Sequence, residues 1–410
     1  MFDDHSWNSL QPLTFTKPVA KLRLGILTIF EKWVKYLDVF EEEVSYLTKM
    51  YLSSLFPLKL EDVNLFINGS ILPNDQLLKK ISELNSGEVL YDPIKKNIIA
   101  FKSNLTDRDG ILEIIQKDHS DAEVFLPSSI DYIKIEELWQ LFALNADQIV
   151  ADYKILEQVA INFDFFNNNM IIGDEDEICV HSEEDISHVC FNTKDGPIYI
   201  GPGANIMEGS FIRGPFAICD NSTVKMGAKI YGGTTIGPHS KVGGELNNVL
   251  IQSYSNKGHD GFLGNSVIGS WCNLGADTNC SNLKNNYSDV KMWRYPEMEY
   301  ISTERQFCGL VMGDHSKCSI NSMFNTGTVV GVSANIFGAG FPPKFVPSFA
   351  WGGANGFDTY KFEKAIETAE KVMLRRDYDF TDAEKNSLQF IFGMTEKNRF
   401  WKKNKSTTVR

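Results

Sequence analysis

Basic charge is in short supply in this chain. Its 40 lysines and arginines face 53 aspartates and glutamates, a formal net charge of -13 with a pI near 5.1. That balance argues against a nucleic-acid surface, which needs a basic patch, and against attachment to anionic lipid. A local basic pocket for a phosphorylated ligand is still allowed. No run of 18 apolar residues occurs, so no membrane span is expected. The opening Met1-Phe2-Asp3-Asp4 carries neither a basic segment nor an apolar stretch, so no signal peptide is expected. The seven cysteines are odd in number and scattered, without CxxC or zinc spacing. That usage suits a reducing cytoplasm.

What is present is more telling. Aliphatic residues recur at every sixth position through Ile200, Ile206, Ile212, Ile218, Val224, Ile230, Ile236 and Val242. The spacing returns at Ile268 and Leu274, and again from Met312 through Cys318, Phe324, Val330 and Ile336. A helix repeats near 3.6 residues and a half-buried strand at 2, so neither fits. Three hexads close one triangular coil. A coil cannot bury its apolar face alone, so coils must stack. Pairs such as Ile200-Gly201, Ile236-Gly237 and Val330-Gly331 place a glycine after the inward residue, where a turn is expected.

The chain of 410 residues is long for a single core, and its patterning divides it. Residues 1–172 read as mixed α/β, with a helical run over Leu24–Met50, strands at Val63–Ile67 and Ile98–Phe101, and a helix over Glu136–Ala151. Residues 178–345 form the repeat domain. Its pattern breaks over Leu246–Phe262 and Leu283–Phe307, where projecting loops are expected. Residues 346–410 supply a connector, helices over Lys361–Arg375 and Asp382–Phe392 that could cap the last coil, and a flexible tail from Lys402.

The segment Lys257-Gly258-His259-Asp260-Gly261, continued by Asn273-Leu274-Gly275-Ala276 and Cys280-Ser281-Asn282, resembles one known family. It is similar to the acetyltransferase half of the bifunctional N-acetylglucosamine-1-phosphate uridyltransferase/glucosamine-1-phosphate acetyltransferases. The resemblance implies a left-handed parallel β-helix, a homotrimer with acyl-donor sites between subunits, acetyl-CoA as cosubstrate, and His259 as catalytic base. Chemistry supports the last point independently, because an ammonium must lose a proton before it can take an acetyl group and a neutral imidazole can accept it. By the same resemblance Lys225, Lys257, Asn273 and Asn282 are substrate-binding. The chain departs from the family at Leu283 and Phe262, where tyrosines are expected, at Asp277, where a glycine is expected, and at Asn247-Asn248, where paired lysines are expected.

The opening Leu10-Gln11-Pro12-Leu13-Thr14-Phe15-Thr16-Lys17-Pro18, with Phe2-Asp3-Asp4, Trp7 and Glu31-Lys32-Trp33, resembles GlmU-like sugar nucleotidyltransferases. That activity needs cradled phosphates and neutralised charge. The glycine-rich loop of the standard family is missing, and Gly25 is the nearest glycine. Lys17 and Arg23 are the candidate phosphate ligands, and Asp3 and Asp4 the candidate holders of Mg²⁺ should this domain be active. Three functions follow: an acetyl-CoA-dependent N-acetyltransferase on an amino-sugar 1-phosphate, a Mg²⁺-dependent sugar-1-phosphate nucleotidyltransferase, or a non-catalytic sugar-nucleotide binder or trimeric scaffold.

Overall fold

The computed structural model describes residues 1–117, 119, 122, 124–156 and 163–401. The tail from Lys402 onward, expected to be flexible, lies outside the described residues. The chain forms two compact units. The first comprises residues 1–10, 17–22 and 27–137; the second comprises residues 11–16, 23–26 and 138–410.

The first unit is α/β. Its four-stranded sheet runs in the order Asn64–Ile67, Asn97–Ser103, Val89–Asp92, Val124–Phe125. The first two pairings are antiparallel and the last is parallel. Phe66 stacks on Phe101 with centroids 4.6 Å apart, inside a core that also holds Phe2, Leu47 and Ile111. The helical run expected over Leu24–Met50 is shorter, spanning Ile29–Leu37. A capping box between Thr28 and Glu31 starts it, and Asp38, left-handed at φ 53°, ends it. Beyond it, the acidic run Glu41–Glu43 makes a single 3-10 turn.

The second unit is a left-handed parallel β-helix. Its first aliphatic column runs in register through Ile200, Ile218, Ile236, Ile251, Ile268, Met312, Val330 and Val346. These side chains share one buried core. The coils begin earlier than the hexads do, since Met170–Ile172 already pairs with Cys190–Asn192. The first break in the pattern is not a projecting loop. Glu245–Ile251 and Phe262–Ile268 are continuous strands paired along their length. The second break folds back as the hairpin Lys291–Arg294 with Glu299–Ser302. Trp293 of that hairpin stacks on Phe345 at 4.2 Å.

The glycines after the inward residues serve closeness more than turning. A Cβ at Gly237 would run into the carbonyl oxygens of Ile251 and Gln252, so this coil could not approach the next. Left-handed corners, which glycines such as Gly203 and Gly227 share, also carry the non-glycine residues Asn221, His239, Tyr254, Trp271, His315 and Ser333. Each of these donates its backbone N–H to the coil before it. Four of the corners carry rings that form a ladder. His239 stacks on Tyr254 at 4.6 Å, Tyr254 on Trp271 at 4.1 Å, and Trp271 on His315 at 6.4 Å.

The last coil is covered. Ala350–Gly353 pairs with the coil strand Asn335–Ile336 and turns back as a hairpin with Gly356–Thr359. Helices Phe362–Leu374 and Asp382–Met394 follow. Phe349 meets Phe362 and Phe392, and Trp401 packs on Phe357 within the solenoid core. The helix expected over Glu136–Ala151 is two helices, Leu138–Ala143 and Asn145–Ile155, parted at Leu144.

Candidate functional site

A groove of about 690 Å³ runs along one flank of the β-helix. Its floor is the outward-facing row of the second sheet. Lys241, Asn256, Asn273 and Lys317 lie side by side there on successive paired strands. Trp271 and Tyr254 of the aromatic ladder line the corner, and Gly258 and His259 form part of the rim. The capping segment contributes Val372, Arg375 and Arg376. Lys225 completes a set of five basic residues, and no residue lining the groove is acidic.

The charges feel one another. The Lys241 ammonium is held below the ordinary lysine value, first by burial and then by Arg376, Lys225 and Arg375. His239, at the end of the ladder, is held down by burial and by Arg376. Arg376 is lowered by burial and by Arg375, and donates to Asn256 Oδ1 at 3.0 Å. Lys317 is lowered by burial and donates to the His315 carbonyl at 3.0 Å. None of the five makes an ion pair among the described residues. Like charges gathered without carboxylates are costly by themselves and favour an anion in the groove.

Of the residues singled out by sequence, the groove brings together His259, Lys225 and Asn273. The exposed His259 ring stands on the rim, and Asn273 is exposed on the floor. Lys257 lies underneath. It follows Val242 in the second aliphatic column, on the strand paired between Val242 and Leu274, and is 1% exposed. Its ammonium donates to the carbonyls of His259 at 2.5 Å and Asp260 at 2.9 Å. Burial brings it down to about 8 from 10.5, partly opposed by Asp260 and Asp277. A lysine thus occupies an aliphatic slot and ties the histidine loop to the coil. Asn282 is not among the residues lining the groove, and its amide donates to Asn265 Oδ1 at 2.8 Å. Sequence reading missed Lys241, Lys317, Arg375 and Arg376. The first two sit one residue before inward column positions, a place where a solvated lysine is ordinary, and the arginines come from beyond the repeats.

The phosphate candidates near the N-terminus are placed differently. Arg23 is buried, with its guanidinium on the Ile26 carbonyl and near Cys219 Sγ. Its backbone N–H donates to Gln252 Oε1 at 2.7 Å. Lys17 is half-buried. Gly25, left-handed at φ 83°, is clipped in place. Its N–H donates to Asn145 Oδ1 at 2.8 Å, its carbonyl accepts from Thr235 at 3.0 Å, and a Cβ would strike Gln148. Thr16 of the Pro-Leu-Thr segment donates to Asp314 at 2.7 Å, and Phe15 packs edge-on against Tyr295 at 5.2 Å.

Asp3 and Asp4 do not fit a divalent ion. Asp3 accepts from the Val19 N–H at 2.9 Å and from the Thr48 hydroxyl at 2.5 Å. Burial pushes its carboxyl up to about 6. Asp4 pairs with Lys134 at 2.9 Å and accepts from Asn68 at 3.0 Å and from the Ser6 N–H at 2.9 Å. No group of three or more His, Cys, Asp or Glu able to hold a metal ion occurs among the described residues. Nor is any helix among them long and apolar enough to cross a membrane.

Comparison with known proteins bears on both halves. Residues 1–160 match the family model described as sugar nucleotidyl transferase. A "Bifunctional protein GlmU" from Acaryochloris marina is 22% identical over 254 residues, covering 55% of this chain and 51% of that protein. These matches support a GlmU-like family. The chain spans about half the length of that curated relative. Among solved structures, a variant of AntD, an N-acyltransferase from Bacillus cereus in complex with dTDP and coenzyme A, is 11% identical. It covers 53% of this chain and 100% of its own, with a TM-score of 0.24. The Arabidopsis UDP-N-acetylglucosamine acyltransferase is 13% identical over 59% of this chain and 95% of its own, with a TM-score of 0.19.

Proposed function

We propose that this sugar-related transferase is an acetyl-CoA-dependent N-acetyltransferase acting on an amino-sugar 1-phosphate. The observation that carries the reading is His259 at the rim of a groove lined by five basic residues and no acid. An acidic chain that concentrates cations in one place has a use for an anion there. In this reading the His259 imidazole takes a proton from the substrate ammonium. The freed amine attacks the thioester carbonyl, the new C–N bond forms, the C–S bond breaks, and the thiolate leaves to be protonated. Lys257 positions the His259 loop through its two carbonyl contacts. Asn273 orients the sugar and Lys225 holds its phosphate as a point charge. A homotrimer working in the cytoplasm belongs to the same reading.

The test follows thiol release from acetyl-CoA with glucosamine 1-phosphate, for the wild type and His259→Ala. The reading expects release that depends on both substrates and falls at least about 100-fold in the variant. Equal rates in the two folded proteins would remove His259 from the chemistry.

One observation favours a second activity. Residues 1–160 match a sugar nucleotidyl transferase model. On that reading the first unit makes a nucleotide sugar and releases pyrophosphate, with the divalent ion held by groups other than Asp3 and Asp4. Pyrophosphate release from nucleoside triphosphate, sugar 1-phosphate and added Mg²⁺ would support it; none across a panel of the four common nucleotides would end it.

A further inference from the structure

We infer that Arg375 and Arg376, which lie outside the repeats, close over the groove as a clamp for an organic diphosphate. The inference rests on reading the groove as the ligand site of the transferase. Three observations lead to it.

The first is the layout of the floor. Lys241, Asn256, Asn273 and Lys317 sit on four consecutive paired strands. Strands in a sheet are about 4.8 Å apart, so the two lysines at the ends of the row are roughly 14 Å apart along the floor. That is a backbone separation, so the lysines mark out a row of positive charge along which a ligand carrying more than one phosphate can lie. The amides between the lysines add hydrogen-bond donors.

The second is the source and anchoring of the arginines. They follow the helix Phe362–Leu374, whose C-terminal end favours cations. Arg376 already reaches the floor through Asn256 Oδ1 at 3.0 Å. Tyr378, just beyond, packs edge-on against Trp271 at 5.5 Å and Tyr254 at 6.1 Å. The segment is therefore held against the coil. Guanidinium groups suit phosphoryl oxygens because they donate two parallel hydrogen bonds.

The third is the missing counter-charge. The groove lining contains no carboxylate, so five cations share one concavity. A single phosphate monoester would leave most of that charge unanswered. The cavity, at about 690 Å³, has the size of a small-molecule site, not of a polymer track.

A diphosphate of this kind could belong to coenzyme A or to a nucleotide sugar, and the test separates them. Calorimetric titration of the full chain uses coenzyme A, a uridine diphosphate sugar, inorganic pyrophosphate and glucosamine 1-phosphate as probes. The wild type is compared with Arg375→Gln, Arg376→Gln, the double variant, and Lys364→Gln as a surface control. Melting curves confirm that each variant is folded. The clamp predicts that one of the two organic diphosphates binds, at least about tenfold more tightly than glucosamine 1-phosphate. It predicts a loss of about tenfold or more in the double variant, a shallower salt dependence there, and no change in Lys364→Gln. Whichever organic diphosphate binds names the source. An unchanged affinity in the folded double variant, equal binding of the monophosphate, or no binding of either organic diphosphate overturns the inference. Retained binding without acetyl transfer in the wild type would defeat the proposed reaction and leave the clamp standing.

Discussion

Lys257 offers a prediction whose sign and size both come from the structure. Its side chain fills an aliphatic slot between Val242 and Leu274, and its ammonium is held at about 8, against 10.5 for an ordinary lysine. The unfolded chain therefore binds more protons than the folded one between those values. Stability attributable to this group rises as pH climbs through about 8 toward 10.5, and its burial cost is present in full below about 8. The gap corresponds to roughly 3 kcal/mol. In Lys257→Met the column is filled by an apolar chain without that cost, but the carbonyls of His259 and Asp260 lose their donor. Those carbonyls belong to exposed residues that water can reach, so the loss is on the order of 1 kcal/mol. At pH 7 the variant should be the more stable protein by about 2 kcal/mol, and above pH 10.5 the order should reverse. Denaturant titrations of both proteins at several pH values measure this difference. Groups common to the two proteins cancel in the difference. A stability difference that stays constant from pH 7 to 10.5 would refute the reasoning. The same variant should turn over more slowly than the wild type, because the His259 loop has lost its tether.

Three further predictions concern the scaffold. Ile236→Ala, at a fully buried column position, should cost roughly 2–5 kcal/mol in chemical denaturation. Gly237→Ala should fail to fold or melt far below the wild type, since its Cβ meets carbonyls of the next coil; Gly258→Ala, with open space at the same atom, should melt normally. In the first unit, burial raises the Asp3 carboxyl to about 6 from 3.8, so the folded state binds its proton more tightly. The burial cost of Asp3 is full above about 6 and is relieved as pH falls toward 4. Asp3→Asn should remove that contribution, which a comparison of melting temperatures at pH 4 and 7 would detect.

The solenoid was readable because burial of a column imposes its own spacing on the sequence. Ile200 through Val242 keep that spacing without interruption, and the structure stacks them in register. The phase was lost after Val242 for two physical reasons. The next inward residue of that column is Lys257, which a search for aliphatics passes over, and the coil from Ile236 to Ile251 is shorter than its neighbours. The glycines were visible, but their reason was not. Gly237 answers to the closeness of the next coil, while left-handed corners went to His239, Tyr254 and Trp271. Local pattern could find His259 and Lys225 on the groove. It could not find Arg375 and Arg376, because only the packing of the capping helix brings a segment so far along the chain back to the rim. The long helix expected from residue 24 failed at Asp38, where a left-handed residue stops it.

The central claim is that His259 serves as the base for acetyl transfer within a cationic groove. It is tested most directly by incubating the protein with isotopically labelled acetyl-CoA and glucosamine 1-phosphate and following the acetyl carbonyl by NMR. The account predicts that the label moves from thioester to amide on the amino sugar in the wild type and stays on the thioester in folded His259→Ala. A label that remains on coenzyme A in the wild type, or reaches the amide equally fast in the variant, would contradict it.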